Sequence, residues 1–318
     1  MNRIIYSILI SAFAGLILGP VIIPILKVLK FGQNIREDGP RSHLKKSGTP
    51  TMGGILIILT IILSTIIVNG KFDSIYAIAM ITTLGYGLIG LLDDSIGIIK
   101  KRSLGLRPYQ KIISQFIFAV ILAYYAYNNP LIGSKLLVPF TGNYIDLGMW
   151  YMPFTVFVII GTTNSVNLTD GLDGLASSVT MVVLLFFVFV CLSLNKDELA
   201  VLAAAGAGGC LGFLRYNSYP AQVFMGDTGS LALGGLIAAL SVLTGLTLYL
   251  PIAGIIYVVE ALSVILQVAS YKLTGKRIFK MSPLHHHFEL SGWNESKIVS
   301  VFGIVTVLFC LVGLLGLL

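Results

Sequence analysis

Ten mostly apolar stretches, separated by polar breaks, run along the 318-residue chain at roughly 4–26, 53–69, 76–92, 110–127, 149–166, 175–194, 199–214, 229–249, 251–271 and 298–317. About 20 apolar residues cross a bilayer as a helix, and inside lipid only a helix or a closed barrel satisfies the backbone. The pattern therefore predicts an all-α polytopic membrane protein of ten transmembrane helices in one domain, 1–318. Composition agrees: 11% of residues are charged, against about 25% in soluble domains, and the mean hydropathy of +0.92 excludes an ordinary soluble enzyme. Arg3 precedes the first stretch, which is too long for a secretory signal and lacks an Ala-x-Ala-like exit, so it is expected to be retained. Cys191, Cys210 and Cys310 sit in apolar runs without paired spacing, which indicates no disulfide framework, zinc site or thiol chemistry.

The loops sort by charge. Seventeen of the 21 basic residues fall on one face, among them Arg36, Arg41, Lys45, Lys46, Lys100, Lys101, Arg107, Lys111, Arg215 and Lys280, while Arg3, Lys71, Lys135 and Lys196 fall on the other. The positive-inside rule makes the first face cytoplasmic and puts both termini outside. The net charge of +7 then reflects an anionic leaflet and anionic substrates and gives no reason to invoke nucleic acid. The long polar loops share that cytoplasmic face, whereas 128–148 is the one longer outside segment, expected to form a short hairpin around Thr141-Gly142-Asn143.

Five groups on the cytoplasmic face carry chemistry. Asp93-Asp94 closes the third stretch, where adjacent carboxylates call for a cation or a shared proton; a solvated helix end is the plainer reading. In Asn167-Leu168-Thr169-Asp170-Gly171-Leu172-Asp173-Gly174, two Asp three residues apart would share a side of a helical turn, or one could cap the helix starting near Leu175. Arg215-Tyr216-Asn217 and Phe224-Met225-Gly226-Asp227-Thr228-Gly229-Ser230 precede the eighth stretch. Free N–H groups there would suit phosphate, and Asp227 a metal, with capping again the alternative. Pro283-Leu284-His285-His286-His287-Phe288-Glu289 holds three consecutive His that cannot all face one ion, so phosphate contact or proton transfer is preferred. In Lys45-Lys46-Ser47-Gly48-Thr49-Pro50-Thr51-Met52-Gly53-Gly54 a lysine could neutralise a diphosphate or merely anchor the chain. Glu260 and Gln267, seven residues apart, share one face of the ninth stretch, either bonding between helices or lining a groove.

Carboxylates without thiolates favour a hard cation, most simply Mg²⁺, and Mg²⁺ with Lys and His favours phosphoryl chemistry. No phosphate-binding Gly-x-x-x-x-Gly-Lys-Ser/Thr loop and no dinucleotide fingerprint occurs, so ATP hydrolysis and hydride transfer have no support. A transporter would place its acidic groups near the midplane. An intramembrane aspartyl protease would need neither the Asn-rich loop nor the His triplet.

The motifs at 48–54, 93–94, 167–174, 224–230 and 283–289, in that order, resemble those of the bacterial phospho-N-acetylmuramoyl-pentapeptide transferases. These belong to the polyprenyl-phosphate N-acetylhexosamine-1-phosphate transferase superfamily. The resemblance implies transfer of phospho-MurNAc-pentapeptide from UDP-MurNAc-pentapeptide to undecaprenyl phosphate, giving lipid I and UMP with Mg²⁺. It also implies a ten-span homodimer in the bacterial plasma membrane with a cytoplasmic cleft. A related GlcNAc-1-phosphate transferase is the alternative. Position by position, it makes Asp227 the metal ligand, and Asp93 and Asp94 the groups that handle the lipid phosphate. It places Lys46 and Thr51 near diphosphate and sugar, and Gly171, Leu172, Asp173, Asn217 and Phe224 at uridine, with Asn167 and Asp170 beside them. Gln267, His285, His286 and His287 would line the cleft towards the sugar-peptide. Many members carry Lys where this chain has Gly97; Lys100 or Lys101 is the expected substitute.

Overall fold

The structure, a computed structural model, describes residues 1–28, 46, 48–69, 73–100 and 105–317. Of the residues singled out above, Arg36, Arg41, Lys45, Ser47, Lys71 and Lys101 lie outside them. Each of the ten apolar stretches overlaps one long helix: α1 (Asn2–Val28), α2 (Gly54–Val68), α3 (Ser74–Ile99), α4 (Pro108–Asn128), α5 (Tyr151–Thr169), α6 (Leu175–Ser193), α7 (Asp197–Asn217), α8 (Gly226–Leu243), α10 (Ile255–Thr274) and α12 (Glu295–Leu315). Among the described residues two short α-helices intervene, α9 (Leu250–Ala253) and α11 (Leu284–Glu289), with 3-10 turns at Gly148–Trp150 and Thr247–Tyr249. Seven of the described helices, all but α2, α4 and α5 among the long ones, are long and apolar enough by length and composition to cross a membrane.

Boundaries differ from the sequence reading where local chemistry takes over. Helix α3 runs past Asp93-Asp94 to Ile99, so the pair lies within its last turns. It starts on Asp73, whose carboxylate accepts the Tyr76 N–H at 2.7 Å. The Pro251 turn is itself helical, as Pro fits the first turn of α9. Between α4 and α5, β1 (Lys135–Leu137) and β2 (Tyr144–Asp146) pair antiparallel, Leu136 opposite Ile145, and Thr141-Gly142-Asn143 lies in the turn as expected.

Helices α7 and α8 form the centre, with 83% and 89% of their apolar windows buried, against 33%, 22% and 28% for α1, α10 and α12. Small residues explain the first pair. Helix α7 reads Ala-Ala-Ala-Gly-Ala-Gly-Gly across its middle, and α1 lies so close that a Cβ on Gly208 would sit 2.4 Å from the Ile8 carbonyl oxygen. The core of the bundle continues through Tyr86, Phe186, Phe187 and Phe213. At one end, Arg3 donates to Asn69 at 2.7 Å, Leu137 N–H to the Gly245 carbonyl at 3.3 Å, and the Tyr249 hydroxyl to the Gly316 carbonyl at 2.5 Å. Those contacts gather the hairpin and both ends of the chain there. The motif residues collect at the other end.

Candidate functional site

Asp93, Asp94 and Asp227 present carboxylate oxygens that all lie within 4.8 Å of one another. Helices α3 and α8 can meet this closely because residue 90 is Gly: a Cβ there would be 2.1 Å from the Asp227 carbonyl oxygen. The three carboxylates have different partners. Asp94 accepts from Asp227 N–H at 3.2 Å, Thr228 N–H at 2.9 Å and the Thr228 hydroxyl at 2.7 Å. It thus caps α8 from a neighbouring helix and satisfies N–H groups that the helix leaves open. Asp93 accepts the Leu106 N–H at 3.0 Å. Asp227 accepts Asn167 Nδ2 at 2.8 Å on one oxygen and the Lys111 ammonium on the other.

Two expectations are corrected here. The first N–H groups of α8 are not open to a phosphate, because Asp94 takes those of Asp227 and Thr228 while Asp170 takes that of Gly226. Among the described residues the lysine at the cluster is Lys111, on the first turn of α4; Lys100 is exposed, and Lys101 lies outside the described residues. Lys111 reads in the sequence as one more positive-inside charge, and only the crossing of α4 beside α8 gives it a partner. The plainer capping reading also fails for the 167–174 loop. The N-cap of α6 is Gly174 at φ +79, and its N–H, with the Ser177 hydroxyl, is taken by Asn217 Oδ1 at 3.2 and 3.0 Å.

Asp170 and Asp173 point to different partners. Burial first, and then the charges of Asp227 and Asp94, push the Asp170 carboxyl well above the ordinary carboxylate value of 3.8. An acid held high in the folded state loses stability as pH rises above its unfolded value, until the folded value is passed. Asp170→Asn removes that cost while keeping an acceptor for the Gly226 N–H. In chelator, its melting temperature relative to wild type should therefore climb between pH 4 and pH 8; a constant difference would show that Asp170 does not carry the penalty.

Asp173, by contrast, accepts Lys46 Nζ at 2.8 Å and Ala221 N–H at 3.0 Å. Lys46 also meets Glu295 at 2.6 Å, on the first turn of α12. Burial works against the Lys46 charge, but the bonds to Asp173 and Glu295 outweigh it and hold the ammonium above the ordinary lysine value of 10.5. Lys46, expected beside a diphosphate, braces the first loop to α12 through these pairs. Glu295 escapes sequence reading because an acid in a helix's first turn is ordinary.

The loop before α2 is shaped by Met52, buried in the left-handed region at φ +69. That turn lets Gly53 N–H reach the Phe224 carbonyl at 2.8 Å and Gly54 N–H the Met225 carbonyl at 2.9 Å, while Phe224 N–H donates to Pro50 at 2.8 Å. Thr51 is buried, and its hydroxyl would lie 2.7 Å from a Cβ on Gly226, whose φ is +72. Leu172 is a core residue, and Asn217, itself buried, also bonds the Val223 carbonyl at 3.0 Å.

The His triplet splits three ways, as consecutive helical residues must. His285 faces Glu260, with Nδ1 3.1 Å from Oε1; His286 Nδ1 is 3.1 Å from Glu289 Oε2; His287 Nδ1 accepts the Lys280 N–H at 3.1 Å. Gln267 does not present its amide to a cleft: Oε1 accepts from Ile278 and Phe279 at 3.0 and 2.9 Å, and Nε2 donates to the Phe279 carbonyl at 3.0 Å. Beside Asp93 opens a cavity of about 270 Å³, lined by Ile96, Lys100, Gly105, Leu106, Arg107 and Gln110.

Comparison with known proteins gives one consistent family. The model of glycosyl transferase family 4 matches residues 76–245, and the phospho-N-acetylmuramoyl-pentapeptide-transferase signature 1 matches 46–58. A protein of Clostridium novyi (strain NT) named phospho-N-acetylmuramoyl-pentapeptide-transferase is 54% identical over 317 residues, covering 100% of this chain and 98% of its own. One of the same name from Clostridium kluyveri is 54% identical over 317 residues, 100% of both chains. Another, from Caldanaerobacter subterraneus subsp. tengcongensis, is 52% identical over 317 residues, 100% of this chain and 99% of its own.

Proposed function

Because the chain belongs to the phospho-N-acetylmuramoyl-pentapeptide-transferase family, we propose that the carboxylate cluster between α3 and α8 is where it joins a sugar phosphate to a lipid phosphate. The chain is a multi-pass membrane protein and a phosphoglycosyl transferase of peptidoglycan synthesis. It transfers phospho-MurNAc-pentapeptide from UDP-MurNAc-pentapeptide to undecaprenyl phosphate, forming lipid I and UMP.

The observation that carries the site assignment is the convergence of Asp93, Asp94 and Asp227. An all-oxygen donor set of three carboxylates fits a hard divalent cation, and Mg²⁺ is our choice. Asp227 would be its main ligand, with Asp93 beside it. Bound there, the ion would neutralise the diphosphate of the donor. The chain's own groups do the rest. Lys111 and Asn167 each hold one oxygen of Asp227 and so fix its plane. Asp94, both oxygens engaged, keeps α8 docked on α3. Asp93 takes the remaining proton of the acceptor phosphate. An oxygen of that phosphate then attacks the β-phosphorus of the donor, the new O–P bond forms, and the bond to the UMP oxygen breaks. Lys100 and Arg107, at the rim of the cavity beside Asp93, suit the acceptor's anionic head.

The loop charges support an orientation with this end in the cytoplasm and both termini outside, in a bacterial plasma membrane. We extend the seven apolar helices to ten spans in one domain, since α2 packs on α1 and α7, α4 on α5 and α3, and α5 on α8. In a homodimer, a second copy or lipid would cover the outward apolar faces of α1, α10 and α12. Purified protein should release UMP only when donor, polyprenyl phosphate and Mg²⁺ are all present. A stoichiometric burst of UMP without acceptor would contradict direct displacement and favour an aspartyl-phosphate intermediate.

A further inference from the structure

Two polar side chains on the buried face of α10, Glu260 and Gln267, end on the segment that follows the helix. Gln267 is spent on the backbone of Ile278 and Phe279. Glu260 reaches α11: its Oε1 accepts the His285 backbone N–H at 3.2 Å and lies 3.1 Å from the ring Nδ1, close but not aligned for a hydrogen bond. Both Glu260 and His285 have 0% exposure, so neither side chain offers surface to a substrate. The His285 ring instead closes on the Asn-rich loop, where a Cβ on Gly171 would sit 2.1 Å from Nε2. Flanking it are Asn167 on the last turn of α5, bonded to Asp227, together with Asp170, bonded to the Gly226 N–H, and Asp173, bonded to Lys46.

A carboxylate within an apolar helix is costly unless it is partnered. Here the partner Glu260 holds is the first turn of the helix that bears the His triplet. We propose that Glu260 and His285 form a buried positioning pair, which sets the Gly171 turn and thereby the Asn167–Asp173 loop against the carboxylate cluster. His285 thus acts through the loop, while His286 and His287 are the members of the triplet with partial exposure. The inference deepens the transferase reading and rests on it.

The test compares Glu260→Gln with Glu260→Met in full-length protein reconstituted in nanodiscs. Both remove the charge at similar volume, and only Gln keeps an acceptor for the His285 N–H. Gln should stay within about threefold of wild-type kcat/KM for the nucleotide-sugar donor, while Met should lose roughly 10- to 100-fold, the range for a displaced supporting group. The KM for polyprenyl phosphate should hold within about twofold for both. Combining Glu260→Met with His285→Leu should cost no more than the worse single change, because the two act as one unit. Equal loss in Gln and Met, additive losses in the double variant, or an equal change in donor and acceptor KM would overturn the pair. Should the Met variant not melt cooperatively, His285→Leu alone decides: loss confined to the donor supports the pair, and equal loss on both substrates overturns it. An inactive wild type would instead count against the transferase reading.

Discussion

Asp227→Ala is expected to abolish turnover, by on the order of 10³-fold or more, equivalent to about 4 kcal/mol of transition-state stabilisation. The site's other groups converge on this carboxylate: Lys111 and Asn167 each hold one of its oxygens, and Asp93 and Asp94 lie within 4.8 Å. Without it the cation would lose its main ligand and Lys111 would swing towards Asp93. The fold should survive, because Asp94 caps α8 through backbone N–H groups and the Thr228 hydroxyl, none of which depends on the Asp227 side chain. Removing one of three crowded carboxylates also relieves repulsion. The expected result is therefore an inactive protein whose thermal melt in chelator matches or exceeds that of wild type. Substantial activity at saturating Mg²⁺ would remove Asp227 as the main ligand.

Gly54→Ala should damage fold and activity together. A Cβ at this position would lie 2.1 Å from the Gly229 nitrogen and 2.2 Å from its Cα, where ordinary contact begins at 3.4 Å. Both atoms are backbone, so α2 and α8 must part by more than 1 Å. Overpacking of this kind costs about 1–3 kcal/mol and sometimes more. The residues displaced are those that follow Asp227, and a 1 Å error at a reacting centre costs roughly 10²-fold in rate. A lowered melting temperature together with that loss is expected. Gly303→Ala on α12 is the control: its Cβ meets nothing within 4 Å, so neither quantity should fall. If Gly54→Ala melted and turned over like the control, the α2–α8 contact would not be setting the site.

The helices were legible in the sequence because a bilayer demands length and apolarity, which hydropathy reports directly. Sorting loops by face put Asp93, Asp94, Asp170, Asp173 and Asp227 on one side of the membrane; only the packing of α3 against α8 draws Asp93, Asp94 and Asp227 together. What stayed hidden was the pairing of residues far apart in sequence. Lys111 belongs to Asp227, Glu295 to Lys46, and Glu260 to His285, separations of 116, 249 and 25 residues. Each reads locally as something ordinary: a loop anchor, a first-turn acid, a buried polar group. Capping arguments misled for the same reason. They look three residues along the chain, whereas the N–H groups of α8 are satisfied by Asp94 from α3 and those at α6 by Asn217 from α7. Gln267 shows the converse, a cleft-facing expectation undone by a loop that folds back onto its amide.

The most direct test of the account is a donor comparison with the purified protein in lipid, supplied with polyprenyl phosphate and Mg²⁺ and given either UDP-MurNAc-pentapeptide or UDP-GlcNAc. UMP and a lipid-linked product should form from the first donor, with turnover from the second lower by roughly 10²-fold or more, the discrimination a site built to hydrogen-bond its substrate can reach. Equal or faster turnover of UDP-GlcNAc by folded protein would contradict it.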